Sequence, residues 1–204
     1  MGSMPERVVL KGEVVELEPI DLAHVGELLT VASEDRSTYA FTLVPDSEVA
    51  MRAYVESALE DERSGSALPF AIRRVVSGEV VGTSRFLDLE YWPAPVTVKD
   101  PSVVEIGSTW LARSAQRSAV NTEAKLLMLG HAFDTWLVKR VTFKTDARNA
   151  RSRAAIERLG ARFEGVRRAH MLAADGSVRD SAYFSIVQDE WPAVKDALTR
   201  RLRS

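Results

Sequence analysis

Residues 105–133 read EIGSTWLARSAQRSAVNTEAKLLMLGHAF, and the order of their parts decides the fold. The first residues close a β-type run, VVEIGSTWL, over Val103–Leu111. A polar turn of small residues follows, Gln116-Arg117-Ser118-Ala119-Val120-Asn121-Thr122. The spacing then predicts a helix over residues 121–137. Its Leu126, Leu127, Met128, Leu129, Phe133, Trp136 and Leu137 cover nearly the whole circumference. A helix that apolar is buried against a sheet. Residues 141–145 resume the strand pattern, so strand, turn, buried helix and strand succeed one another, which is the grammar of an α/β sheet.

Downstream, residues 152–159 form a short helix, with Gly160 where a left-handed C-cap belongs. Residues 163–171 and 178–186 are strands around the hairpin signal Asp175-Gly176. Residues 191–202 form a last helix with Pro192 in its first turn. Upstream, residues 14–17 are a short strand. Asp21 caps a helix running through Leu28 and Leu29. Pro45-Asp46-Ser47 opens a second helix over 48–61, and residues 70–76 and 79–89 are strands flanking Ser77-Gly78. Residues 91–101 carry Pro93, Pro95 and Pro101 and form a loop. The order β-α-α-β-β-β-α-β-α-β-β-α predicts a mixed α/β sheet. No repeat or linker divides it, so residues 4–204 are expected to form one domain. Met1–Ser3 look like a cloning leader ahead of a native Met4.

The chain has 204 residues, 46% hydrophobic and 27% charged, with a net charge of −2. That balance gives no reason to expect a nucleic acid or a membrane as partner. No cysteine is present, which excludes disulfides and fits a reducing, cytoplasmic setting. No apolar run reaches the length that spans a bilayer, and the N-terminus lacks a secretory pattern.

Two turns carry the chemistry. At residues 116–122, small residues let backbone N–H groups approach a ligand, and the helix start adds unpaired N–H groups and partial positive charge. Together they suit a pyrophosphate, with Arg117 as a charged contact. A plain strand-to-helix turn would read the same way. Neither GxGxxG nor GxxxxGK[ST] occurs, so a dinucleotide fold or P-loop is not indicated. The second turn, Asp146-Ala147-Arg148-Asn149-Ala150-Arg151-Ser152, leaves Asn149 with a donor and an acceptor for an amide-bearing ligand; a helix cap would use the same residue types.

Taken together, EIGSTWLARSAQRSAVNTEAKLLMLGHAF and TDARNARSRAAIERLGARFEG closely resemble the GNAT acetyltransferases. Among them they look most like the RimJ/RimL branch, whose named members acetylate the N-terminal amine of ribosomal proteins. The resemblance implies a twisted mixed sheet with flanking helices, whose central strands, Val103–Leu111 and residues 141–145, splay around the pantetheine arm of acetyl-CoA. It implies donor contacts from Leu111, Gln116, Arg117, Ser118, Ala119, Val120, Asn121 and Thr122, and from Asn149 to the pantetheine. One of Arg148, Arg151, Arg153, Arg167 and Arg168, Arg153 first among them, would meet the 3′-phosphate, the others being solvated or ion-paired. Ala119 stands where the family has glycine; a Cβ there is expected to narrow the backbone approach or oppose a positive φ. The branch's acid, a serine near the sulfur, falls on Ser152, and its base position on His170 in place of glutamate. A backbone N–H near Trp110 and Leu111 would face the oxyanion. No metal is implied; a homodimer is.

Plainer roles stand beside these. Ser152 would serve equally as an N-cap; the plainer role of His170 is a solvated strand residue or a packing partner for Trp110. Glu105 is the competing base or an ion-pair partner. Trp110, Tyr91 and Trp92 line the acceptor pocket, or Trp110 packs the core. Asp180 orients the amine or its own loop. Without cysteine, acyl transfer runs directly to the amine or through Ser, Thr or a carboxylate. The competing functions are a sensor that binds acyl-CoA without turnover and a transferase using a larger donor such as succinyl-CoA.

Overall fold

The computed structural model describes residues 6–93 and 99–203. Met1–Ser3, expected to be a cloning leader, and residues 94–98, Pro95 included, lie outside the described residues. The strands are β1 Leu10–Lys11, β2 Val15–Pro19, β3 Ala67–Arg74, β4 Val80–Glu90, β5 Val103–Leu111, β6 Arg140–Asp146, β7 Arg162–Leu172 and β8 Val178–Val187. The helices are α1 Val25–Ala32, α2 Glu48–Arg63, α3 Ala119–Gly130, α4 Ala150–Arg158 and α5 Trp191–Arg203. The strands form one sheet in the order β1-β2-β3-β4-β5-β6-β8-β7. Every neighbouring pair is antiparallel except β5 and β6, which α3 joins in parallel.

Alternation along the strands sends side chains to two cores. Val104, Ile106 and Phe86 pack with Val120, Met128 and Leu129 of α3 and Trp191 and Leu198 of α5. Ala71, Val80 and Trp110 pack with Leu28 of α1 and Met51 and Val55 of α2 on the other face. Local chemistry sets the ends: Ser47 caps α2 by accepting from Ala50 N at 3.3 Å, and Asp21 caps the 3₁₀ turn Leu22–His24 that leads into α1.

The predicted helix over 121–137 needs correction. α3 starts at Ala119 and ends at Gly130, and a π-helical turn, His131–Thr135, replaces its last part. Trp136 N donates to His131 O at 3.0 Å, and the His131 and Trp136 rings stand 4.5 Å apart. The widened turn carries Phe133 onto Trp191, centroids 5.4 Å apart. Leu137, expected in the core, is 59% exposed with φ +56°. A 3.6-residue period cannot register one wide turn.

Candidate functional site

β5 and β6 pair only over Val103↔Arg140, Val104↔Val141 and Glu105↔Thr142. Beyond these, β5 stays on β4 and β6 on β8. The strands part as expected, leaving a split whose closed end is at Glu105 and whose open end lies between Leu111 and Asp146. The edge of β5 that faces it has backbone groups without ladder partners. A bulge sits on that stretch: Arg85 pairs with Gly107 and Thr83 with Trp110, so Ser108 and Thr109 together oppose Ser84, and Ser108 has φ +47°. Bulges re-aim backbone groups.

At the open end, residues 116–122 form the start of α3. Ser118 is its N-cap, donating to Ala115 O at 2.6 Å and accepting from Val120 N at 3.3 Å. Among the described residues, no acceptor serves the N–H groups of Arg117, Ser118 and Ala119. These three residues are exposed, Val120 is buried in the core, and Asn121 and Thr122 are half-buried. Ala119 is the first helical residue, so its Cβ opposes no positive φ; the left-handed position is Arg117, φ +59°. Gln116 acts as a strut, its Nε2 donating to Leu111 O at 2.9 Å and Thr38 Oγ1 at 3.1 Å. Tyr39 OH also donates to Leu111 O, at 3.1 Å.

Across the split, Asn149 caps α4, its Oδ1 accepting from Ser152 N at 3.0 Å. Ser152 is therefore not the cap. It is half-buried in the first turn, and among the described residues its hydroxyl has no partner. Arg153 lies over the Phe163 ring, 5.3 Å from the centroid, and donates to Ala147 O. Free helix-start N–H groups beside an open strand edge fit a long ligand with a phosphate at one end and an amide-bearing arm in the split.

A family model described as an acetyltransferase (GNAT) domain matches residues 15–162. This chain belongs to the GNAT acetyltransferases. It is 33% identical to a GCN5-related N-acetyltransferase from Brucella melitensis, with a TM-score of 0.83 over 98% of this chain and 87% of that one. A T. thermophilus chain provisionally assigned as an acetyltransferase is 35% identical, with a TM-score of 0.79 over 99% and 100% of the two chains. Mycobacterium smegmatis RimJ, solved in complex with CoA-disulfide, is 22% identical with a TM-score of 0.77 over 96% and 92%, a likeness of fold alone. A search of curated protein sequences gives no match. The protein is an N-acetyltransferase, using an acyl-CoA donor as the family does.

The acetyltransferase carries a row of polar groups across the face opposite α3. Glu105 is 3% exposed, and its Oε2 stands 3.0 Å from Lys144 Nζ of β6. Lys144 also meets Asp88, at 3.1 Å. A Cβ on Gly107 would come within 2.6 Å of Glu105 Oε1, so glycine there leaves room for the carboxylate beside the bulge. Burial raises the Glu105 pKa, against the opposing pull of Lys144. Tyr183 pairs with Lys144 in the ladder. Its hydroxyl lies 3.3 Å from His170 Nε2, while His170 Nδ1 lies 2.9 Å from Ser181 Oγ. Burial, then Arg167, Lys144 and Arg179, hold the His170 pKa below the usual value. The expected His170–Trp110 contact does not form; Trp110 is buried edge-on against Tyr39, centroids 6.1 Å apart.

Tyr91 and Trp92 stand away from the open end of the split, and Asp180 keeps to its own loop. Tyr91 and Trp92 follow Glu90, which pairs with Val103 at the closed end. Tyr91 instead lines a separate cavity of about 410 Å³ with Pro101, His131 and Trp136. Asp180 Oδ1 accepts from Ala169 N at 2.7 Å, which is the loop role. Sequence reading missed Lys144 and Tyr39. Lys144 alternates with buried Val141 and Phe143 in phase with the cleft face, a signal that needs the sheet order to interpret. Tyr39 gives none, because its partner is a backbone carbonyl 72 positions away.

Proposed function

We propose that this acetyltransferase moves acetyl from acetyl-CoA directly to a primary amine, with a peptide N-terminus, as in the RimJ/RimL branch, the first acceptor to test. The observation that carries the reading is the split itself, with unpaired helix N–H groups at its open end and a buried carboxylate at its closed end. Acetyl-CoA supplies an activated acyl thioester. From Leu111 back to Glu105 is about 20 Å of strand at ~3.3 Å per residue. A donor held at residues 117–122 and beside Asn149 therefore places its thioester between Leu111 and the bulge, with Glu105 deeper in the split. Glu105 takes the proton from the acceptor ammonium through intervening water, and the pKa raised by burial makes it a stronger base than an exposed carboxylate. Ser152, with its unpartnered hydroxyl, returns a proton to the departing thiolate. β5 edge N–H groups near Trp110 and Leu111 face the carbonyl oxygen. An α-amine, with its pKa of about 7.7–8.0, needs less help than a lysine at about 10.4.

His170 gives a second reading of the base, favoured by its contact with Tyr183 and by burial, which holds its pKa below the usual value. Glu105→Gln and His170→Ala, compared across pH, separate the two: the true base loses on the order of a hundredfold in kcat, and its acid-side inflection disappears. The primary test is calorimetry with acetyl-CoA alongside thiol release on a panel of amines and N-terminal peptides. Binding with turnover supports the proposal. Binding without turnover across the panel points to a sensor, and no binding overturns the donor site.

A further inference from the structure

Lys125 is 4% exposed, at a core-facing position of α3. Its Nζ donates to Ser84 Oγ of β4 at 2.8 Å and to Thr109 Oγ1 of β5 at 2.6 Å. The two hydroxyls lie 2.8 Å apart. Both also reach Gly107 O, Thr109 at 3.3 Å and Ser84 at 3.5 Å. Ser84 and Thr109 are the two sides of the β5 bulge, so the amino group sits directly beneath the stretch that opens onto the split.

No carboxylate among the described residues bonds to this amine. On its own helix Glu123 is spent on the N–H groups of Glu13, Val14 and Val15. Arg85 of β4 and Glu105 of β5 point to the opposite face, toward Asp61 and Lys144. On β2, which also packs on α3, Val15 and Leu17 face this core and Glu16 and Glu18 alternate away from it. Lys195 of α5 is turned to Asp134. His131 lies further along toward the π turn, and burial lowers its pKa, so it adds no charge at neutrality. Burial alone brings Lys125 down to about 7.

We propose that Lys125 is a positioning residue for acyl transfer: through Ser84 and Thr109 its amino group fixes the β5 bulge, and its proton sets which way those hydroxyls donate. An ammonium has three donors and no acceptor, so both hydroxyls accept from Nζ and turn their own protons to Gly107 O or to each other. A neutral amine has a lone pair. One hydroxyl then donates to Nζ, and Gly107 O loses a donor. Proton loss thus loosens the bulge that aims the β5 edge at the donor. The inference rests on the donor reading of the split given above.

The test is Lys125→Met, measured as thiol release from acetyl-CoA with and without the amine panel, and as CoA affinity by calorimetry. We expect the variant to fold and to bind CoA within about twofold of the parent, because the start of α3 is untouched. Turnover falls roughly tenfold or more, and the parent's inflection in kcat near neutral pH is lost while KM for acetyl-CoA changes little. Thr109→Val removes the same inflection with the lysine present, and Thr109→Ser restores it. Parent-like turnover with a parent-like pH profile in Lys125→Met overturns the proposal. So do equal losses of CoA affinity, turnover and thermal stability, which mean general damage. Nζ NMR of the ligand-free parent reads the titration separately: a lysine charged far into alkaline pH overturns this inference while leaving the donor reading intact. A parent that binds no acetyl-CoA overturns both.

Discussion

A buried amine without a carboxylate costs stability in a pH-dependent way, and the sign follows from where its proton is held. The Lys125 pKa is brought from 10.5 to about 7 in the folded chain by burial. Between those limits the unfolded chain binds the extra proton, so Lys125 makes stability rise with pH from about 7 to about 10.5. Below about 7 both states are charged and the cost is complete; above about 10.5 both are neutral and it is gone. Lys125→Met removes the cost. Its stability should exceed the parent's most at and below neutral pH, by on the order of a few kcal/mol, and thermal unfolding should show the gap closing in alkaline buffer. Arg117 is the second position where one residue holds two roles in opposition. Its left-handed φ of +59° costs about 1 kcal/mol in a non-glycine residue, yet it is the cationic residue of the stretch whose N–H groups are unpaired. Arg117→Gly should raise the melting temperature by about 2–4 °C and weaken CoA binding several-fold. Thermal unfolding and calorimetry on one preparation check both, and a variant that gains stability with undiminished CoA affinity would show that the cation does not touch the donor.

Elements are placed by contacts that a linear reading sees only in part. Glu123 of α3 accepts from Glu13 N at 3.0 Å and from Val14 N and Val15 N at 2.7 Å each. This pins the β1–β2 turn to the first half of the helix that forms the donor loop. Gly12 makes the approach possible, for a Cβ there would stand 2.4 Å from Glu123 Oε2. Gly12→Ala should push the carboxylate off these N–H groups. Buried donors left without partners cost about 1–3 kcal/mol each, so a melting temperature several degrees lower is expected; an unchanged one would mean that the turn relaxes freely. The same example shows what was legible. Glu123 lay within the quoted stretch, but its partners are more than a hundred positions away, and no local pattern connects them. Periodicity found every long strand, the start of α2 and the alternation around α3, because each is a repeated local choice. The π turn at His131–Thr135 was missed because it breaks the period once. Of the site, the turns at 116–122 and 146–152 were legible only together, through the family resemblance, because each alone reads as a plain helix start. The row Glu105–Lys144–Tyr183–His170 was not, because it exists only once β5, β6, β8 and β7 lie side by side. The place of Tyr91 and Trp92 was not legible either, because loop aromatics read as pocket walls whichever end of the sheet their loop occupies.

For the molecule as a whole, the sheet is continuous in hydrogen bonds at only one end of the split. The β5–β6 junction has three register pairs, whereas β6–β8 pairs run from Arg140 to Asp146 and β3–β4 pairs from Ala67 to Arg73. What holds the two flanks together is packing: Met128 and Leu129 of α3 and Trp191 and Leu198 of α5 lie in one core with Phe86 of β4, Phe143 of β6 and Phe184 of β8. The interior is therefore tight while the edge of β5 past Glu105 has no strand partner. A ligand in the split would supply what β6 withholds, and its effect on backbone protection should be confined to that edge and the donor loop. Hydrogen exchange with and without saturating acetyl-CoA measures this. Protection should increase over residues 106–122 and 147–153, while β3, β4 and the α5 core, already slow, change little. At about 100 times the Kd, binding stabilises the folded state by about 2.7 kcal/mol, which for a chain of this size raises the melting temperature by roughly 5–10 °C. Protection spread evenly over the sheet would mean that the flanks close as rigid bodies on the donor. Protection confined to residues 117–122 would mean that the phosphates bind while the arm stays out of the split, and direct transfer beside Glu105 would then have no donor in place.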